Sequence, residues 1–310
     1  MSPKAETFFK RLFSTVILLA VLGGAVAWDS EYGYAALICI FCNMTTIEWY
    51  RMLRERREEC CRWLALFAGL VYPWLLAAVY FELCDESRVI SGEFCPQTYP
   101  QMAEMCAVPV AALVVYALVA FFVMLRRMDY KQLPAQQALS GMGLTLLAFV
   151  YPVWMFAFAI PLMSGEPELL LFLILITKMS DIWAYVSGVL LGRRFISRPF
   201  SPVVSPKKSW EGIIGSYILT LVCAVLLGKY VVGISTIEWS DYAGYLLTTT
   251  FIFVLAVAGD LAGSLIKRGL GVKDSGSLLP GIGGIFDLID SPAFTVAAVA
   301  AVAAMQTVGM

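Results

Sequence analysis

Histidine is absent from this chain of 310 residues. Its absence excludes histidine-based proton transfer, histidine-ligated zinc and Ser-His-Asp hydrolysis. A phosphate-binding loop of the form G-x-x-x-x-G-K-[ST] is missing as well. The sequence therefore favours chemistry that needs little proton transfer, such as phosphoryl or nucleotidyl transfer between groups that are already anionic.

Charge is also scarce, since only 15% of the residues are charged while 60% are hydrophobic. A water-soluble core of this size does not need so much apolar material, and a spanning helix takes roughly 20 apolar residues. The sequence thus predicts an all-α, polytopic integral membrane protein with about nine transmembrane helices. The predicted spans are 12–28, 32–50, 62–81, 107–125, 139–163, 169–192, 212–234, 242–263 and 292–310.

Basic residues alternate from loop to loop, as the positive-inside rule requires of a serial membrane spanner. Of the 22 Lys and Arg residues, all but Arg88, Lys178 and Lys229 fall in the N-terminus and in every second loop. This pattern predicts a cytoplasmic N-terminus. The first span, with its basic start and Ala-Val-Ala ending, is also compatible with a cleaved secretory signal, which would leave eight spans.

The charges that topology alone does not explain begin after the middle of the chain. We therefore divide it into an N-terminal transmembrane scaffold, residues 1–168, and a C-terminal transmembrane catalytic half, residues 169–310, with active-site loops on the cytoplasmic face. Glu48 is the only acid inside a predicted span of the first half.

The first unexplained charges are Lys178 and Asp181, which share a helical face inside the sixth span. Either they neutralise each other within the bundle, or Asp181 lines a polar cavity. The next group is "SPKKSWEG", which opens the seventh span. Its lysines are either positive-inside anchors, with Ser209 as helix cap, or part of an anion site at a helix N-terminus.

The eighth span ends in "AGDLAGSLIKR", where Asp260 and Ser264 share one face. A glycine-rich turn follows and leads into "FDLID", which spaces Asp287 and Asp290 three apart on one helical turn. Carboxylate oxygens suit Mg²⁺, which commonly bridges protein acids and substrate phosphates. Acids, lysines and a glycine-rich loop together predict a phosphate and metal site.

The stretch "SLIKRGLGVKDSGSLLPGIGGIFDLID" resembles the signature of the phosphatidate cytidylyltransferase (CDP-diacylglycerol synthase) family. The upstream "SDIWAY", "SPKKSWEG" and "GDLAGS" are similar to that family in the same order. The similarity covers approximately residues 170–292. The resemblance implies a Mg²⁺-dependent enzyme, with a second cation as an option, that transfers CMP from CTP to phosphatidate and releases pyrophosphate.

The resemblance also implies roles for individual residues. Asp260, Asp287 and Asp290 would hold the metal. Lys267, Lys273 and Asp274 complete the expected catalytic set. Together with the charge and motif patterns above, the resemblance gives these expected substrate- and phosphate-binding residues: Asp181, Ser205, Lys207, Lys208, Ser209, Glu211, Ser264, Arg268, Gly283 and Gly284. The partners implied are CTP, phosphatidate and the bilayer, with no nucleic acid. A homodimer is one option for the assembly. The expected location is a bacterial inner membrane, with the site facing the cytoplasm.

Two positions depart from the family pattern. Ile282 stands where the family usually has histidine, and Leu288 stands where it usually has arginine, so a hydrogen-bonding group and a bidentate donor are replaced by aliphatic side chains. The alternatives that stay open are a CTP-dependent polyprenol kinase, a cytidylyltransferase for another lipid phosphate, a non-enzymatic transporter and an inactive relative with a structural role.

Overall fold

The structure, a computed structural model, describes residues 24, 30–54, 60–91, 100–131, 133–162, 167–231, 239–278 and 283–308. Nearly all of this backbone is helical. The helices are α1 (Glu31–Met52), α2 (Arg62–Ser91), α3 (Pro100–Lys131), α4 (Ala135–Phe149), α5 (Met155–Ala157), α6 (Ala159–Leu162), α7 (Pro167–Leu191), α8 (Trp210–Val231), α9 (Trp239–Gly269) and α10 (Phe286–Val308). The predicted span 12–28 lies outside the described residues, Gly24 apart.

Six helices in the described part of the chain are long and apolar enough to cross a membrane. They are Arg62–Leu83, Ala107–Tyr130, Leu170–Leu191, Trp210–Gly228, Ala243–Gly269 and Phe286–Ala304. The chain is thus an all-α integral membrane protein. Helix α1 has the predicted length but is less apolar, because it carries the buried polar residues Thr45, Thr46 and Glu48.

The predicted span 139–163 is not one continuous helix. Helix α4 ends at Phe149 and is followed by the π-helical stretch Val150–Trp154, inside which Tyr151 has extended backbone angles (φ −114°, ψ 117°). In the sequence Tyr151 is followed by a proline, and the residue before a proline disfavours helical backbone angles. Two short helices, α5 and α6, complete the segment.

A two-stranded antiparallel hairpin interrupts the helical pattern between α7 and α8. Its strands are β1 (Pro199–Ser201) and β2 (Ser205–Ser209), with Pro199 opposite Ser209 and Ser201 opposite Ser205. The hairpin was not predicted from the sequence. Strand β2 contains the "SPKKS" sequence and ends where α8 begins.

The chain forms two compact units. The first comprises Met1–Gly165, Asp274–Ile289 and Ala297–Met310, and the second comprises Glu166–Lys273 and Asp290–Val296. The two ends of helix α10 belong to the first unit, and its middle part, Asp290–Val296, belongs to the second. The predicted division into scaffold and catalytic halves is one of function, and it stays a prediction.

The core of the first unit contains an aromatic group around the start of α10. Phe286 is fully buried, and its ring meets those of Trp49 and Tyr151 edge-on, with centroids 5.6 and 5.7 Å away. Offset and edge-on aromatic pairs stabilise beyond the area that they bury. Helix α1 therefore holds the first residue of α10 in place.

The core of the second unit is built on close packing of α7 against α8. The hydroxyl of Ser216 on α8 donates to the Ser180 carbonyl on α7 at 2.6 Å. The hydroxyls of Thr177 and Thr295 lie 3.2 Å apart and join α7 to α10. Small and hydroxyl-bearing residues let apolar helices approach closely and satisfy one another's polar groups. This packing fixes the helices that carry the charged residues described next.

Candidate active site

Three ion pairs of the second unit form what we call the lysine–aspartate cluster. Lys178 and Asp181, both on α7, are 3.2 Å apart. Lys208 at the end of β2 pairs with Asp260 on α9. Lys267 on α9 lies 3.9 Å from Asp290 on α10. Four elements that are distant in sequence thus each bring charge to one unit.

The pairs of the cluster also act on one another. The Asp290 carboxylate is attracted by Lys178 and Lys267 and repelled by Asp260 and Asp181. Asp290 is only 3% exposed, and a buried charge is tolerated when it is paired and hydrogen-bonded. Its Oδ1 also accepts the backbone N–H of Ser291 at 2.7 Å. Three lysines are therefore paired with three aspartates, and an anionic ligand would compete with the aspartates for the lysines.

The strand geometry of β2 explains which lysine joins the cluster. Successive residues of a strand point to opposite faces, so Lys207 is exposed while Lys208 is half-buried and reaches Asp260. The hydroxyl of Ser209 accepts the N–H of Gly212 at 3.1 Å and caps α8. The sequence suggested two equivalent lysines at a helix N-terminus, whereas the structure gives them different environments.

Glu211 serves the loop before the hairpin. Its carboxylate accepts backbone N–H groups from Arg193, Phe195 and Ile196 at 3.2, 2.9 and 2.7 Å. Three such bonds occupy much of the acceptor capacity of one carboxylate. The phosphate-binding role expected for Glu211 stays a prediction beside this structural one.

The first unit contains a second group of acids, which we call the Glu48–Asp287 network. Asp287 Oδ2 accepts the backbone N–H of Ser275 at 3.1 Å, its hydroxyl at 2.8 Å and the N–H of Gly284 at 2.9 Å. Glu48 accepts from Ser275, Ile285 and Phe286. Within this unit, Asp287 is thus held by two backbone N–H groups and one hydroxyl.

The remaining predicted site residues are not all brought into these two groups. Ser264 on α9, Ser205 on β2 and Gly283 are half-buried, and Gly284 is buried. Four further residues are exposed: Lys207, Arg268, Lys273 and Asp274. Ile282 lies outside the described residues. Leu288 is buried, so an aliphatic side chain, not a cation, fills that position of α10.

The assignment of Asp260, Asp287 and Asp290 as metal ligands stays a prediction. Within the described ranges, no group of three or more Cys, Asp or Glu side chains is arranged to hold a metal ion. Mg²⁺ commonly takes only one or two protein carboxylates together with phosphates and water. Asp260 and Asp290, which interact within one cluster, are donors of the right chemical type for such a site.

Sequence reasoning missed Glu48 and gave Lys178 no role beyond pairing with Asp181. For Glu48 the signal was a lone acid in an otherwise apolar helix, which predicts a buried partner without naming it. For Lys178 the missing information was the approach of Asp290, because the two residues lie on different helices. Both contacts depend on tertiary packing.

These features define an all-α integral membrane protein with a cluster of three lysine–aspartate pairs. The chain belongs to the cytidylyltransferase family, which it matches over residues 9–306.

Individual relatives match over shorter stretches. An uncharacterized Escherichia coli K12 protein, YnbB, is 36% identical over 155 residues, which are 50% of this chain and 49% of that protein. The phosphatidate cytidylyltransferase of Mycobacterium bovis is 40% identical over 111 residues, 36% and 33% of the two chains. That of Haemophilus influenzae is 39% identical over 123 residues, 40% and 41% of the two chains. The chain thus spans between a third and a half of the length of these curated relatives.

Proposed function

We propose that the protein is a phosphatidate cytidylyltransferase, which transfers CMP from CTP to phosphatidate and yields CDP-diacylglycerol and pyrophosphate. The observation that carries the proposal is the lysine–aspartate cluster. Its pairs Lys208–Asp260 and Lys267–Asp290 join the three stretches "SPKKSWEG", "GDLAGSLIKR" and "FDLID". Membership of the cytidylyltransferase family supports the nucleotide, and the apolar helices suit a lipid acceptor.

The reaction needs no general base from the protein. A phosphatidate phosphate oxygen, already anionic, attacks the α-phosphorus of CTP, and the bond from that phosphorus to the oxygen bridging to the β-phosphorus breaks. The electron pair leaves with pyrophosphate. The chain has to position the two anions and offset their repulsion, and this fits a site of lysines without histidine.

The lysines of the cluster supply the positive charge. In the structure Lys208 and Lys267 are neutralised by aspartates, so they are held in place before any substrate binds. A triphosphate or lipid phosphate entering the site would draw these ammonium groups away from the carboxylates. Lys207, Arg268 and Lys273, which are exposed, would assist at the entrance together with Ser264 and Asp274.

Asp260 and Asp290, with Asp287 as the third proposed ligand, would hold Mg²⁺. The ion supplies charge neutralisation for the phosphates and for the leaving pyrophosphate. The carboxylates released from Lys208 and Lys267 would at that point be available as ligands. The lysines and aspartates would thus be paired with each other before substrate binds, and with phosphate and Mg²⁺ afterwards.

We further propose the predicted topology, with nine spans and a cytoplasmic N-terminus, in a bacterial inner membrane. Cytoplasmic orientation would give the cluster access to CTP. The alternation of basic loops supports this orientation.

The decisive experiment uses purified protein in phosphatidate-containing micelles with Mg²⁺ and CTP labelled on either the α- or the γ-phosphate. We expect α-label in the lipid product and γ-label in pyrophosphate. Transfer of γ-label to an added polyprenol would identify the kinase alternative. Absence of any labelled lipid with folded, monodisperse protein would overturn the proposal. A parallel arm with other lipid phosphates tests whether Ile282 and Leu288 accompany a different acceptor.

A further inference from the structure

Glu48 is a buried acid on α1 that no part of the proposed reaction uses. It is only 4% exposed. Its Oε1 accepts the backbone N–H of Ile285 at 2.9 Å, and its Oε2 accepts that of Phe286 at 2.9 Å and the Ser275 hydroxyl at 3.0 Å. A buried carboxylate is costly unless such donors satisfy it. The fold therefore supplies Glu48 with hydrogen-bond donors from residues that are far from it in the sequence.

The donors of Glu48 lie at the start of α10. The first N–H groups of a helix have no partner within the helix, and a negative charge is favourable there because of the helix dipole. Helix N-termini usually take a cap from the adjoining chain. Here the acceptor comes from a residue 237 positions away, so α1 caps α10.

The glycines of the signature loop are shaped around the same carboxylate. A Cβ at Gly276 would lie 2.8 Å from Glu48 Oε1, closer than real Cβ atoms approach. A Cβ at Gly284 would overlap both Glu48 and the Ser275 hydroxyl. The glycine at each position is thus required by a side chain of the protein itself. The phosphate and metal site predicted for this loop stays a prediction beside this structural role.

Ser275 connects Glu48 to Asp287. Its hydroxyl oxygen lies 3.0 Å from Glu48 Oε2 and 2.8 Å from Asp287 Oδ2, and its single proton can be donated to only one of them at a time. Asp287 is further held by the N–H groups of Ser275 and Gly284. Moving Glu48 would release Ile285 and Phe286 and, through Ser275, loosen the position of Asp287.

We infer that Glu48 is a positioning residue for the reaction: it holds the first turn of α10 so that Asp287 has a defined orientation. This inference rests on the proposed function for its catalytic consequence. Its structural part, the capping of α10 by α1, is testable without any substrate.

The first test compares backbone amide exchange of residues 284–288 in the wild type, Glu48→Gln and Thr45→Val. The glutamine has one acceptor oxygen and an NH₂ group that would face a backbone donor, so we expect exchange at Ile285 and Phe286 to accelerate about tenfold or more. Thr45→Val is the matched control, because Thr45 is buried on the same helix and its hydroxyl donates to the Phe41 carbonyl four residues earlier. Unchanged protection in Glu48→Gln would overturn the inference.

The second test measures steady-state kinetics on the monodisperse fraction. We expect Glu48→Gln to lower kcat roughly ten- to a hundredfold, which is the size of effect that a lost charge-assisted hydrogen bond produces. We expect KM for CTP to change by less than about threefold. Glu48→Asp, which retains the charge on a shorter side chain, should recover part of the rate. A merely structural role would lower the yield of folded protein and leave kcat of the folded fraction intact, which would contradict the inference.

The two tests separate the two proposals. If the wild type makes no CDP-lipid, the proposed function fails, while the exchange measurement still decides whether Glu48 caps α10. If Glu48→Gln does not fold, Ser275→Ala replaces it, since loss of the hydroxyl leaves the backbone bond to Asp287 in place. In Ser275→Ala we expect faster amide exchange around residue 287. An amide-exchange profile equal to that of the wild type would overturn the link between Glu48 and Asp287.

Discussion

The carboxylates of the lysine–aspartate cluster and those of the Glu48–Asp287 network are satisfied in different ways. Asp260 and Asp290 face ammonium groups at the ends of long, flexible side chains. Glu48 and Asp287 face backbone N–H groups and one hydroxyl. A lysine can turn away toward a phosphate, whereas a backbone N–H cannot move without moving the chain.

This difference separates residues that exchange partners from residues that hold geometry. The cluster is suited to taking up an anionic substrate and a cation. The network is suited to keeping α10, which carries both Asp287 and Asp290, in one position. The following substitutions test whether the separation is correct.

The largest effect is expected from Asp260→Asn. The change removes a proposed metal ligand and leaves the Lys208 ammonium without its carboxylate partner, so we expect kcat to fall by roughly a hundredfold or more. Labelled-CTP turnover on folded protein measures it. Asp129→Asn, at an exposed position near the end of α3, is the control. Turnover within threefold of wild type would remove Asp260 from the proposed metal site.

Asp287→Asn should also reduce turnover, by about a hundredfold, while leaving the protein folded. The amide oxygen can still accept from Ser275 or Gly284, but the negative charge is lost. The measurement is turnover at several Mg²⁺ concentrations together with a thermal unfolding curve. A lower melting temperature with normal kcat would assign Asp287 to structure alone and would contradict its proposed ligand role.

The adjacent lysines of β2 provide a smaller and more discriminating comparison. Lys208→Ala should raise KM for CTP roughly tenfold, because a charge-assisted contact is worth about 1.5–3 kcal/mol. Lys207→Ala, at the exposed neighbour, should change KM by less than about threefold. Equal effects at the two positions would mean that the alternation of β2 does not select the phosphate-binding lysine.

The smallest kinetic effect is expected from Glu211→Gln. Because its carboxylate accepts three backbone N–H groups of the loop 193–196, we expect the melting temperature to fall by a few degrees with KM for CTP unchanged. A clear rise in KM with unchanged melting temperature would instead support the substrate-binding role predicted from the sequence.

Much of the helical architecture follows from hydropathy, since long apolar runs form helices wherever backbone groups lack water. The predicted span 139–163 is interrupted at Tyr151, where the backbone angles are extended. The hairpin of β1 and β2 was missed, because its short polar strands have no hydrophobic period to reveal them. The charged motifs identified the lysines and aspartates of the cluster, but not Glu48.

The sequence by itself determined the membrane class, the absence of histidine chemistry, the order of the helices and the residue types available to bind phosphate and metal. These properties depend on composition and local pattern. Only the tertiary structure decided that Lys208 rather than Lys207 meets Asp260, that Lys267 meets Asp290, and that Glu48 caps α10. The physical reason is that a partner is chosen by distance in space, and packing brings together polar groups that the sequence separates by up to 238 positions.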